Sequence, residues 1–289
     1  MNRFGQNMPP PLVYIIVLNW NRPALTIDCL HSLKTLDYPN HHTVVVDNGS
    51  SDHSVAVVSA VFPGVEILQT GTNLGFGGGN NRGISLALAR GAEYVWLLNN
   101  DTRVFPETLS RLLAKAQEDQ LNGAVGSVLF YSSDPQRVQA WGGGTINFFT
   151  GSARHLQSPR PVGPKAFLTA ASLLLRADAI QAVNLFDEKF FLYWEDADLC
   201  YRIRKAGYRL AVASDAKLLH VESATLRMNN PLQLYHSARS ASRFFSRHCR
   251  APILPVAIGL SLRVAKRLVR GRWNEAAALL RGTFGLPIS

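Results

Sequence analysis

Four short apolar runs, each closed by small polar side chains, constrain this chain more than any other feature. Residues 12–18 read Leu-Val-Tyr-Ile-Ile-Val-Leu, residues 43–46 and 94–98 are built alike, and residues 65–68, Val-Glu-Ile-Leu, read as a further strand. Continuous runs rich in β-branched residues mark strands covered on both faces, as in a parallel sheet. Between them, residues 23–36, 55–62 and 84–89 carry apolar side chains at helical spacing, with Pro23 suited to a first helical turn. Alternating strands and helices imply a parallel sheet wound by right-handed crossovers. Such sheets hold ligands beyond the carboxyl ends of their strands. The polar clusters at those ends are therefore the candidate site: Asn19, Asn21 and Arg22; Asp47 and Asn48; and Asn99, Asn100 and Asp101.

Asp101 with two neighbouring amides suits a hard divalent cation, which prefers oxygen ligands and brings phosphates with it. The same residues also suit a polar turn capping the next helix. After the third run, Asn73, Gly75, Asn80 and Arg82 belong to a glycine-rich stretch that leads into residues 84–89. It resembles a dinucleotide fingerprint only superficially, because the third glycine is missing and the stretch follows the third strand. Glycines ahead of a helix admit a phosphate or sugar closely, and a flexible connection is the alternative. Beyond residue 123 the pattern changes to strands over 124–131, 144–149 and 167–176, then a short helix over 177–183. Residues 152–165, with three prolines, read as a mobile surface loop.

Residues 186–204 set acids among aromatics. A helix from Asp196 turns Leu199, Ile203 and Ala206 to the core and crowds Glu195, Asp196 and Asp198 into its first turn. A helix N-terminus stabilises negative charge, and capping accounts comfortably for one acid but poorly for three. Aromatic neighbours such as Trp194 exclude water and raise a carboxyl's proton affinity toward the range of a general base.

At 289 residues the chain can bury a large core, and its 47% hydrophobic and 17% charged content leaves little room for disorder. Cys29, Cys200 and Cys249 are odd in number and widely spaced, against a disulfide framework or zinc site. We read no signal peptide and no run long enough to span a bilayer, which suits a cytoplasmic protein. The formal charge of +10 is concentrated in residues 227–289, which hold 11 basic residues and Glu275 as the single acid. On a helix there, Arg263, Lys266, Arg267 and Arg270 share one face, opposite Val264, Ala265, Leu268 and Val269. That pattern suits an interfacial helix on an anionic membrane, or a tail helix with a solvated basic face. Nucleic acid is not expected as a partner, since no recognised motif or aromatic interleaving accompanies the cations.

Six motifs in order, residues 17–22, 46–52, 73–76, 98–101, 194–202 and His220, resemble the inverting glycosyltransferases of family 2. The resemblance implies an α/β GT-A nucleotide-diphospho-sugar transferase fold, with a mostly parallel central sheet flanked by helices. Residues 12–226 would form the catalytic domain, after an extension at 1–11 and before a basic helical region at 227–289. It further implies roles. Asp47 receives a pyrimidine imide, with Asn19, Asn21, Arg22 and Asn48 around the nucleotide. Asn73, Gly75, Asn80 and Arg82 close over the diphosphate and sugar. Asp101, with Asn99, Asn100 and His220 nearby, holds Mg²⁺ or Mn²⁺. Asp196 deprotonates an acceptor hydroxyl beside Trp194 and Glu195. Relatives often have a second carboxylate in the metal motif and glycine at the position of Asn184. Residues 235–245 resemble rhamnosyltransferase-like members, which points to dTDP-rhamnose as donor and to a glycan or lipid-linked acceptor in cell-envelope polysaccharide synthesis at the inner membrane face. A noncatalytic nucleotide-sugar or polyanion-binding module is the alternative.

Overall fold

The computed structural model describes residues 9–221 and 230–287, so most of the extension expected at 1–11 and the boundary expected at 226 lie outside the described residues. Strands β1 (Val13–Asn19), β2 (His41–Asp47), β3 (Glu66–Gln69) and β4 (Tyr94–Asn99) are joined by α1 (Pro23–Leu33), α2 (Ser54–Val61) and α3 (Gly75–Ala89). They pair in parallel in the order β3-β2-β1-β4. The chain winds outward from β1 to β3 and returns to lay β4 on the other side. The winding direction therefore reverses between β1 and β4, and ligands bind at such a switch point.

Side-chain alternation shows why these runs are apolar throughout. Val13, Ile15 and Val17, with Trp96 and Leu98, pack with Leu30 and Leu33 of α1 and with Leu109 and Leu112 of α4 (Thr108–Gln117). Tyr14, Ile16, Val95 and Leu97 face the other way, toward Ile84 of α3 and Leu199 and Ile203 of α6 (Glu195–Lys205). β1 and β4 bury both faces, as parallel strands covered by helices must, whereas β3 at the end of the row is only partly buried. Gly83 lets α3 close on this sheet, since a Cβ there would lie 2.6 Å from the Ile16 Cγ2.

The second half is mixed. β5 (Thr102–Val104), β6 (Asn122–Tyr131), β11 (Ser172–Arg176) and β12 (Arg209–His220) extend the sheet as β4-β11-β6-β12-β5, with β7 (Asp134–Trp141) antiparallel to the C-terminal part of β6. β11 runs antiparallel to β4 and β6, whereas β12 is parallel to β6. β8 (Gly143–Asn147), β9 (Ser152–His155) and β10 (Ala166–Leu168) form a small separate sheet. The single strand expected over 167–176 is thus two strands in two sheets, broken at residues 169–171. Part of the loop expected over 152–165 is strand β9. After α5 (Ala177–Ala182) and α6, the chain ends in α7 (Pro231–His248), α8 (Ile253–Leu268) and α9 (Trp273–Phe284).

Phe244 and Phe245 of α7 are buried in the core beneath the sheet, and Leu234, Tyr235 and Ala238 pack against Leu260, Ala278 and Leu279 in a second, helical core. The expectation of one basic face on α8 is corrected here. α9 folds back on α8, and the largely buried Glu275 draws Arg267 inward to 3.2 Å, while Arg263 donates to the Gly259 carbonyl at 3.0 Å. Lys266 and Arg270 stay outside, and so do apolar residues: Leu262, Val269, Trp273 and Phe284 are 60%, 89%, 67% and 68% exposed. Among the described residues no helix is long and apolar enough to cross a membrane.

Candidate active site

Register aligns the polar ends. β1 pairs Asn19 with Asp47 and Leu18 with Asn99, so three strands end at one level beside the switch point. Asn19 is buried and holds the row together: its Nδ2 donates to Asp47 Oδ1 at 2.9 Å and to Ser50 Oγ at 3.2 Å. Its Oδ1 accepts from Thr26 Oγ1 at 2.8 Å and from Asn100 Nδ2 at 3.3 Å. Asp47 is buried too, accepting additionally from Ser50 Oγ at 2.6 Å and Ser50 N at 3.1 Å. An ionised carboxylate has about four acceptor sites, so Asp47 keeps acceptor capacity for one more donor. Asn21 sits at φ 53°, a conformation asparagine tolerates, and its Oδ1 accepts from Ser51 N at 2.8 Å. Arg22, at the start of α1, keeps an exposed side chain.

The glycine-rich stretch, expected to lead into a helix at 84, is itself helical. Gly75 begins α3, so its glycines form the first turns of the helix and leave that end without large side chains. Gly75 has φ +76°, and a Cβ there would lie 2.3 Å from the Phe191 carbonyl oxygen, which accepts from Phe76 N at 2.9 Å. Asn48 secures this helix start, donating to the Gly75 carbonyl at 3.0 Å and to Asn73 Oδ1 at 3.2 Å while accepting from Leu74 N at 3.1 Å. Asn80 is buried and donates to the Phe76 carbonyl at 2.9 Å. Arg82 is not brought to this cluster. Two positions on from Asn80 it points to the far side of the helix, into a cavity shared with Asn184, Asp187 and Arg247.

Asn100 donates to Thr26 Oγ1 at 2.9 Å, which fixes the turn after β4, and the Asn99 carbonyl accepts from Thr102 Oγ1 at 2.7 Å. β12 and β5 pair Thr102 with His220, which brings His220 Nε2 to 3.0 Å from Asp101 Oδ1. His220 is therefore not a plain core histidine. Its Nδ1 lies 2.7 Å from Gln139 Oε1, an acceptor, so Nδ1 carries the hydrogen and Nε2 faces Asp101. Ligands about 2.1 Å from one octahedral ion stand about 3 Å apart, and a second hydrogen bond commonly orients a ligating imidazole. This donor set fits a divalent cation that takes its remaining ligands from phosphate and water. Among the described residues no third histidine, cysteine or acid joins it.

The acidic helix start divides its labour. Asp198 is fully buried and structural: it accepts from Arg202 Nε at 2.7 Å, Arg247 Nη1 at 2.9 Å and His248 Nε2 at 2.8 Å. Burial pulls its pKa up, yet the bonds from His248 and Arg202 outweigh that and hold it at about 2. Asp196 is partly accessible, and its Oδ1 and Oδ2 accept from Ala197 N at 2.7 Å and Ala170 N at 3.4 Å. Loss of surrounding water pushes it up to about 6 despite those bonds. Glu195 is 7% exposed, and burial followed by the Asp196 charge raises its pKa well above the usual range. Tyr193 and Trp194 both take left-handed backbone, φ 66° and 67°. For non-glycine residues this is strain of the kind that gathers at functional sites. Trp194 packs 5.0 Å from the Phe244 ring.

Residues 170 and 171 bind the two halves of the site together. The Ala171 carbonyl accepts from Asn99 N at 2.9 Å, one residue from the amide that donates to Asp196. Asp196 therefore lies at the same sheet edge as Asn99 and Asp101. Sequence reasoning missed Thr26, Ser50, Gln139 and residues 170–171. Ser50, within the 46–52 motif, had a readable signal; Gln139 acts only through a pairing that no local pattern announces. Asn184 has φ 54°, a left-handed backbone that asparagine tolerates, so it supports the turn before the Phe186-Asp187-Glu188 segment.

Residues 14–165 match the family model Glycosyl transferase family 2, and residues 94–243 match Glycosyl transferase family group 2. An N-acetylglucosaminyl-diphospho-decaprenol L-rhamnosyltransferase of Mycobacterium tuberculosis is 32% identical, over 61% of this chain and 65% of that one. The galactofuranosyltransferase GlfT1 of Mycolicibacterium smegmatis is 28% identical over 72% of this chain and 70% of its own. The mannosyltransferase PcManGT from Pyrobaculum calidifontis, solved in complex with GDP-Man and Mn²⁺, superposes with a TM-score of 0.60 at 17% identity, over 96% of this chain and 76% of that one. At that identity the likeness speaks to the fold alone.

Proposed function

The chain belongs to Glycosyl transferase family 2, and from that premise we propose an inverting transfer of a sugar from a nucleotide diphosphate to a hydroxyl of a glycan or lipid-linked acceptor. The observation that carries this reading is the meeting at one sheet edge of the Asp101–His220 pair and Asp196. Asp47, Asn19 and Asn21 line the place for a pyrimidine base, and Asn73, Gly75 and Asn80 form the helix start over the diphosphate. Asp101 and His220 hold Mg²⁺ or Mn²⁺. That ion, when bound, neutralises charge on the departing diphosphate. Asp196 takes the acceptor's proton as its oxygen attacks the anomeric carbon, beside a Glu195 whose pKa burial raises. dTDP-rhamnose is the proposed donor, supported by the mycobacterial rhamnosyltransferase among the relatives.

Isothermal titration of dTDP tests the metal residues. Mg²⁺ should tighten binding by about tenfold or more over EDTA, and Asp101→Asn should remove that difference. Equal wild-type affinity with and without Mg²⁺ counts against the pair. The rate profile tests the base. Asp196 must be ionised to accept a proton, so kcat/KM should be flat above its pKa of about 6 and fall tenfold per pH unit below it. A profile level down to pH 5 contradicts the assignment.

The outward face of α8 and α9 also suits an anionic membrane surface. Leu262, Val269, Trp273 and Phe284 can enter the headgroup region while Lys266 and Arg270 each contribute about 1 kcal/mol. Val269→Glu with Trp273→Glu should lower sedimentation with phosphatidylglycerol vesicles at least several-fold. Unchanged sedimentation argues for a helix pair that stays in water.

A further inference from the structure

A second cationic recess lies beside the segment that leads to Asp196. Its volume is about 270 Å³, and it is lined by Lys189 and Phe191 on one side and by His236, Arg239, Ser240 and Arg243 of α7 on the other. The four α7 residues stand at i, i+3, i+4 and i+7, one face of the helix. Ser240 Oγ donates to the Leu192 carbonyl at 3.0 Å and Arg243 donates to the Lys189 carbonyl, so the recess is tied to the loop. His236 stacks on Phe191 with ring centroids 4.5 Å apart.

The acids next in sequence are turned away from this recess. Asp187 Oδ2 is 2.6 Å from Arg247 Nη2, and Glu188 Oε1 accepts from Asn81 at 3.1 Å. Among the described residues no carboxylate pairs with Lys189, Arg239 or Arg243. Burial, then the nearby Arg239 charge, holds the His236 imidazole below its usual pKa. Two guanidinium groups and an ammonium around one concavity suit a polyphosphate, because arginine meets phosphate oxygens in pairs.

The residues that line this recess are distinct from those proposed to hold the donor's metal. Neither Asp101 nor His220 lines it, although Phe191, which does, accepts from Phe76 N at the start of α3 through its carbonyl. The recess sits along the loop from Asp196, on the side served by α7. α7 also carries the helix pair with exposed Leu262, Val269 and Phe284. On the transferase reading above, we propose that Lys189, Arg239 and Arg243 hold the diphosphate of a lipid-diphosphate-linked acceptor.

Farnesyl diphosphate titrated into the full chain, with dTDP and Mg²⁺ already saturating, tests this. Binding should persist with the nucleotide present. Arg239→Ala and Arg243→Ala should each raise its Kd at least tenfold, with Arg243→Lys intermediate, while the Kd for dTDP stays within twofold. Lys189→Ala, at an exposed position, provides a variant with little risk to folding, and thermal unfolding checks all four. Displacement of the probe by dTDP overturns the proposal, as do variants that bind it like the wild type. Equally tight, equally sensitive binding of dihexanoyl phosphatidylglycerol would reassign the recess to a bilayer headgroup and so also overturn it. A wild-type chain that fails to bind dTDP strikes instead at the donor reading, which the nucleotide titration reports separately.

Discussion

Asp196→Asn should reduce sugar transfer by about a thousandfold, within the range that a positioned general base supplies, while dTDP binds with nearly unchanged affinity. The amide keeps one acceptor oxygen, enough for the shorter bond from Ala197 N at the helix start, but cannot take a proton, so the helix start is preserved and the chemistry is not. Glu195→Gln should cost far less, because burial raises that carboxyl's pKa well above the usual range and makes it the less ready proton acceptor of the two. Steady-state rates with initial-velocity controls for protein folding distinguish the two. Comparable losses in both variants would mean that the pair acts together and that Asp196 alone is not the base.

Asp198→Ala should destabilise the fold by about 3 kcal/mol or more, since removing one partner of a buried ion pair leaves the others uncompensated. Arg202, Arg247 and His248 all converge on this carboxylate, which joins α6 to α7. Its pKa of about 2 lies below the value of an unfolded aspartate, near 3.8. Its contribution is therefore fully present above about pH 4 and is lost as pH falls through about 2. Urea unfolding at pH 7 and at pH 3 should show the wild type weakened by acid, with a smaller gap between wild type and Asp198→Ala at the lower pH. A variant as stable as the wild type at pH 7 would show that the cluster merely fills space.

The first half of the fold was legible because its strands are short, largely apolar and separated by periodic helices, with β1 and β4 buried on both faces. The polar ends of β1, β2 and β4 could be read as one edge from the same pattern, and the register confirms that level. The glycine-rich stretch misled because glycine is a poor helix former, whereas here the close approach of Phe191 and Ile16 leaves little room for a side chain. β12 was illegible because its residues mix apolar and polar types and a register irregularity falls between Val212 and Lys217. That strand nevertheless delivers His220 to Asp101. The break at residues 169–171 hides in an apolar run, and only the separate pairing of β10 and β11 exposes it. The three acids of α6 looked alike in sequence; their partners on α7, some 50 residues later, are what separate the structural Asp198 from Asp196.

On the proposed reading, Asp101 and Asp196 serve one sugar transfer from one edge of the sheet. Release of nucleoside diphosphate from a panel of nucleotide sugars, measured with Mn²⁺ and again with EDTA, tests it most directly. Turnover of one pyrimidine donor, dTDP-rhamnose foremost, should occur with the metal and fall at least tenfold with EDTA. Tight nucleotide-sugar binding without release from any donor, in either condition, would contradict the account and leave a binding module in its place.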